Sequence, residues 1–181
     1  VRDYDLKYLR KKIGFIPQKT LLFTGSIANN IKFGKKDAEY KEVEDSAKIA
    51  QAYEFISNKP NKFDELITEG GSNVSGGQKQ RLSIARAIVR KPDIYIFDDS
   101  FSALDFKTDA ILRKELRSET KDAIVLIVAQ RIGSIMDADK IIVLNEGEVV
   151  GIGTHKELIK NCPIYHEIAT SQLTEEELAN E

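Results

Sequence analysis

Two short strings in this chain carry residue types suited to phosphate and metal chemistry. The first is Asn73-Val74-Ser75-Gly76-Gly77-Gln78-Lys79-Gln80-Arg81. A serine and two glycines opening a helix leave backbone N–H groups bare for an anion, and the helix dipole favours negative charge there. Ser75 and Gln78 have the spacing of a capping box. A capping box does not call for paired glycines, which cost helix stability and are useful where backbone must approach a ligand. The second string is Ile94-Tyr95-Ile96-Phe97-Asp98-Asp99, an apolar run ending in two carboxylates. Acids at the tip of a buried strand suit Mg²⁺, which takes oxygen ligands and keeps much of its hydration. Read without that chemistry, the same acids would simply cap the next turn. Three further positions stand beside these strings: Gln18 after Ile16-Pro17, Asp105 closing Ser102-Ala103-Leu104-Asp105, and Gln130 after Val128-Ala129. Singly they read as a loop glutamine, a helix cap and a strand-end glutamine.

The elements that must hold these residues follow from periodicity and punctuation. Asp5 caps a short helix through Leu6 and Leu9 that ends near Lys12, and Ile13 to Ile16 is a short buried strand stopped by Pro17. Residues 21 to 90 read as mainly helical, with Val43, Ala47 and Ala50 on one face. Pro60-Asn61 breaks that stretch and Gly70-Gly71 is a turn. A helix runs from about Gly76 to Arg90 with Leu82, Ile84, Ala85, Ile88 and Val89 on a broad apolar face. Beyond Pro92 the texture changes. Ile94–Phe97, Ala123–Ala129 and Ile141–Leu144 are nearly continuous apolar runs, the pattern of parallel strands covered on both faces. Lys107 to Ser118 reads as the crossover helix of a βαβ unit. Asn145-Glu146-Gly147-Glu148 is a hairpin turn into Val149-Val150, and Thr154-His155-Lys156-Glu157 is a capping box. The tail is helical from Pro163 and ends in a Glu-rich stretch expected to fray.

Composition narrows the function classes. The 181 residues suit one domain, and 41% apolar content is enough for a core. With 27 Lys and Arg against 29 Asp and Glu, no strongly basic field draws nucleic acid. Cys162 is the sole cysteine, so no disulfide framework or thiol metal cluster forms within the chain. His155 and His166 lack ligand partners at metal spacing and are assigned solvated or capping roles. No run approaches the ~20 apolar residues that span a bilayer.

In this order the strings resemble the second half of an ABC-type ATPase domain, and the resemblance covers essentially the whole chain. It implies an α/β fold: a P-loop-type ABC ATPase core with a parallel sheet flanked by helices, plus an α-helical signature subdomain, the N-terminal strands and P-loop being missing. Residues 1–18 and 89–162 would form the core, 19–88 the Q-loop and signature subdomain, and 163–181 a helical tail. Ser75, Gly76, Gly77 and Gln78 look like the signature, with Val74 where the family has Leu. Asp98 looks like the Walker B aspartate that holds Mg²⁺, joined by Gln18 of the Q-loop. Asp105 matches the D-loop that crosses to the opposite protomer. Thr68-Glu69-Gly70-Gly71 resembles the exporter loop that senses the membrane domains, with Gly70 in place of a basic residue.

Two positions depart from the family's catalytic pattern. Asp99 stands where the family places a glutamate that orients or deprotonates the attacking water. It is one methylene shorter, and a displacement of about 1 Å can cost on the order of 10²-fold. Gln130 stands where the family has a histidine; glutamine donates a hydrogen bond but carries no charge and shuttles no proton. No G-x-x-x-x-G-K-[ST] string is present. Gly151-x-Gly153-Thr154-His155-x-Glu157-Leu158, with Tyr165 and Gln172 beyond, looks exporter-like.

The resemblance therefore implies part of an ABC exporter's nucleotide-binding domain at the cytoplasmic face of the membrane, itself soluble and using ATP and Mg²⁺. Its partners would be a second ABC ATPase domain, in a heterodimer with unequal sites, and transmembrane domains, with no nucleic acid. Its own site would hydrolyse poorly and its signature would complete the partner's. Residues 1–181 alone are expected to show negligible ATPase activity and weak nucleotide binding, and an open strand edge is expected to favour self-association. Two alternatives stay open: a soluble ABC-type ATPase of DNA repair or chromosome structure, and a non-hydrolysing regulatory subunit.

Overall fold

The computed structural model describes residues 2–174, which fall into two compact units, residues 2–128 and 129–174. In the first unit Asp5 accepts a hydrogen bond from the Tyr8 N–H (2.8 Å) and starts helix α1, Leu6–Lys12. Strand β1, Ile13–Ile16, follows and stops at Pro17, which has no N–H to give a sheet. Gly25–Ser26 (β2) and Leu66–Ile67 (β3) make a short antiparallel pair. Between them lie helices α2 (Ile27–Lys32), α3 (Tyr40–Ile49) and α4 (Tyr53–Ser57), so the expectation of a mainly helical region holds. Helix α5, Gly76–Ile88, is its centre. Val43, Ala47 and Ala50 are buried as their spacing implied, and with Ile27, Ile31 and Leu82 they form one core. Each large aliphatic side chain buried here contributes about 1.5–3 kcal/mol. Gly34 marks the tightest approach to α5: a Cβ there would lie 1.9 Å from the Arg86 carbonyl oxygen.

Strand β4, Ile94–Asp98, lies between β1 and β5 (Ile124–Val128), all three parallel. Helix α6, Phe106–Glu119, is the crossover from β4 to β5, buried through Leu112 and Leu116. On β4 the face carrying Tyr95 and Phe97 is buried, and the Phe97 ring stacks on Phe101 at 5.1 Å. Burial pushes the Tyr95 hydroxyl up to about 12, so it stays neutral. Strand β5 corrects the sequence reading. It is apolar throughout yet largely bare, with Ile124 59% and Leu126 52% exposed.

The second unit holds another correction. Ile141–Asn145 (β6) does not add a parallel strand; it pairs antiparallel with β7, Glu148–Gly153, in a two-stranded sheet. The hairpin turn was read correctly, and Glu146 and Gly147 both take positive φ (49° and 84°), as a type I′ turn requires. The Thr154–Glu157 capping box opens α7, His155–Asn161, and Pro163 opens α8, Pro163–Gln172. His155 is not solvated. It is 3% exposed, with Nδ1 at 2.6 Å from the Tyr165 hydroxyl, whereas His166 is exposed as expected. Ile141, Val143, Leu158, Cys162, Tyr165 and Ala169 form this unit's core. The Glu-rich stretch from Glu175 lies outside the described residues, as does Val1. No helix among the described residues is long and apolar enough to cross a membrane.

Candidate functional site

The tip of α5 is built by a reciprocal cap. Ser75 Oγ accepts from the Gln78 N–H (3.2 Å), and the Gln78 side-chain oxygen accepts from the Ser75 N–H (3.1 Å). The capping reading and the anion reading therefore coexist at one place. Ser75 and Gly76 are exposed, and a Cβ built on Gly76 would meet nothing within 4 Å. Gly77 is different: a Cβ there would lie 3.2 Å from the Ala103 carbonyl oxygen. One glycine thus leaves the helix tip open, and the other lets the helix pack against the Ser102–Asp105 turn. In that turn Asp105 caps α6, accepting from the Thr108 N–H (2.9 Å) and hydroxyl (2.7 Å). The Thr108 N–H holds the Asp105 carboxyl below the usual carboxylate range, helped by the Thr108 hydroxyl and more weakly by Arg81.

The acids at the end of β4 are half-buried. Asp99 sits at φ 45°, a left-handed conformation that Asp tolerates better than most side chains. Its N–H donates to the Val128 carbonyl (2.9 Å), and its own carbonyl accepts from the Ser102 hydroxyl (2.8 Å). Gln18, 81 positions away in sequence, donates from Nε2 to Asp99 Oδ2 at 3.0 Å. In the second unit Gln130 is exposed, and its carbonyl accepts from Gln172 Nε2 (2.9 Å), while Gln172 Oε1 accepts from the Ile132 N–H (2.9 Å).

Comparisons with known proteins place the chain in a family. A family model described as ABC transporter matches residues 1–102. The chain belongs to the ABC transporter family. It is 45% identical over 176 residues to the uncharacterized ABC transporter ATP-binding protein YfiB of Bacillus subtilis (strain 168), covering 97% of this chain and 30% of that one. It is 41% identical over 172 residues to ATP-binding cassette sub-family B member 5 of Mus musculus, covering 95% of this chain and 14% of that one. A bacterial Atm1-family ABC exporter, solved with ATP bound, superposes with a TM-score of 0.90 at 35% identity, covering 93% of this chain and 30% of that chain. The ABC fold expected from the motifs is thus the fold observed, and this chain spans about a third or less of these relatives.

In this ABC transporter chain Asp98 and Gln18 each carry a side-chain oxygen, the donor type that Mg²⁺ takes. No group of three or more His, Cys, Asp or Glu among the described residues makes a cage for a metal on its own. Sequence reasoning missed several supports. Ser100 is buried and donates to the Ile16 carbonyl (2.8 Å), tying the ends of β1 and β4. Lys79 donates to the Gly70 carbonyl (2.8 Å), holding the Thr68–Gly71 loop where Gly70 and Gly71 take positive φ. Arg81 donates to the Gln51 carbonyl (2.6 Å), and Arg86 to those of Asn30 (2.9 Å) and Leu21 (3.0 Å). Arg86 also lies over the rings of Phe23 (5.3 Å) and Phe33 (5.7 Å). Gln80 was missed although a signal existed. It lies one turn before Ile84 on the apolar face of α5, where a polar residue must have partners.

Proposed function

We propose that this chain is part of the nucleotide-binding domain of an ABC exporter, acting in a head-to-tail pair of such domains with two composite ATP sites. Gln18, Asp98 and Asp99 belong to one site, and Gln130 stands in sequence where the family has its switch residue. Ser75, Gly76, Gly77 and Gln78 close the other, which a second domain supplies with its phosphate cradle. The observation that carries this reading is the exposed α5 tip: Ser75 and Gly76 face solvent with their cap complete and no side chain in the way. There the Ser75 hydroxyl and the N–H groups that follow are disposed to hold a terminal phosphate.

The two sites are unequal in this reading. At its own site Asp98 and Gln18 hold nucleotide-bound Mg²⁺. Asp99 is shorter than the family's glutamate and engaged by Gln18, so this site binds ATP and turns it over slowly; glutamine at the switch position, Gln130, adds no proton transfer. The signature completes a competent site on a different partner, making a heterodimer at the cytoplasmic face of the membrane. Binding of ATP closes the pair and moves attached membrane domains, and hydrolysis at the partner's site resets them. In full-length halves mixed and assayed for ATPase activity, Ser75→Arg abolishes turnover, whereas Asp99→Asn lowers it less than about twofold. The reverse order of effects would overturn the assignment. A second reading, a regulatory half without turnover of its own, is favoured by the Gln18–Asp99 bond; an active homodimer of this half would exclude it.

A further inference from the structure

Gln80 lies on the inner side of α5, 2% exposed among apolar neighbours. A buried amide in such a place is costly unless both its donor and its acceptor are engaged. Both are. Nε2 donates to the Pro17 carbonyl at 3.3 Å, and Oε1 accepts from the Thr20 hydroxyl at 2.5 Å. Pro17 and Thr20 bracket Gln18, whose own amide reaches Asp99 Oδ2 at 3.0 Å. The loop leaving β1 is therefore gripped on both sides of the residue that meets the β4 acids. The grip comes from the helix whose first turn carries Ser75, about 7.5 Å up the axis at the usual rise per residue. Nothing about core filling asks for this: Leu82 and Ile84 fill the same core without polar atoms.

We propose that Gln80 is a positioning residue that fixes the direction in which Gln18 presents its amide and locks the Gln18 loop to the signature helix. The inference rests on the functional reading above, in which Gln18 helps to hold Mg²⁺.

The test uses the full-length transporter in lipid nanodiscs, measuring capture of radiolabelled ATP against Mg²⁺ concentration. Gln80→Met keeps the length and volume of the side chain but removes both hydrogen-bonding ends. It should raise the half-saturating Mg²⁺ about tenfold, and Thr20→Val, which removes one hydroxyl, about threefold. Gln18→Ala should raise it at least as much as Gln80→Met, and the double variant Gln18→Ala/Gln80→Met no more than Gln18→Ala alone, because Gln80 acts through Gln18. Additive shifts in the double variant would overturn the proposal. So would an unchanged Mg²⁺ titration in both Gln80→Met and Thr20→Val while Gln18→Ala shifts it, and in that case the site reading survives. An unchanged titration in Gln18→Ala itself overturns the site reading and the proposal together. Should Gln80→Met fail to fold, Thr20→Val alone and in the Gln18→Ala background carries the same comparison.

Discussion

The tip of α5 and the end of β4 are both candidate ligand sites in the same unit, yet they are built on opposite principles. The tip is local: Ser75 and Gln78, three positions apart, complete each other's hydrogen bonds, and Gly76 leaves the space outside empty. The end of β4 is non-local. Asp99 is set by a carbonyl from β5, a hydroxyl from the next turn and an amide from Gln18. A locally made site can lose its chemistry while the fold stands. A site made by convergence of distant segments shares its fate with the sheet beneath it.

That contrast can be broken by substitution. The largest effect is expected at Phe97, 1% exposed beneath the β4 acids. Phe97→Ala should destabilise the first unit by about 3–5 kcal/mol, read by chemical denaturation, with function falling in step. Gly76→Ala should do the opposite. Turnover of the full-length pair should fall on the order of 10²-fold, while stability holds or rises by up to about 1 kcal/mol because Ala is the better helix former. If Gly76→Ala unfolds the protein, the tip is not the independent site described here.

Asp99→Glu sharpens the same point at smaller scale. The longer side chain is less suited to φ 45° and displaces the carboxylate from Gln18, so a stability loss of about 1 kcal/mol is expected in urea titration. A gain in stability would show that the left-handed conformation at Asp99 is not a constraint. The smallest effect belongs to the second unit's capping box. The Thr154 N–H, and then the Thr154 hydroxyl, hold the Glu157 carboxyl below its ordinary value. A lowered folded-state value stabilises above the ordinary glutamate range, and that contribution is lost as pH falls through the lowered value. Glu157→Gln should therefore flatten the acid limb of the unit's stability profile, lowering stability near neutrality and leaving it unchanged at the acid end.

What could be read in the sequence follows the same division. The capping boxes at Ser75 and Thr154 and the turn at Glu146-Gly147 depend on residues a few positions apart, and each is legible; the βαβ unit through α6 is legible because one helix-length separates two apolar runs. The partner of Gln18 and the double grip of Gln80 depend on separations of 81, 63 and 60 positions, which no local pattern encodes. Strands β5 and β6 failed for a related reason. An apolar run reports that a strand prefers cover but not which neighbour supplies it, so the run Ile141–Leu144 reads as part of the wrong sheet and β5 reads as covered when it is largely bare. His155 was misjudged because its partner Tyr165 lies on the following helix.

One property of α5 reaches further. Lys79, Gln80, Arg81 and Arg86 all end on main-chain oxygens of other segments: Gly70, Pro17, Gln51, Asn30 and Leu21. Every amino acid supplies such an oxygen. Those segments can exchange their side chains over generations, adapting to new neighbours, without surrendering their anchorage, so the lineage can remodel its outer surface while one rod keeps its attachments.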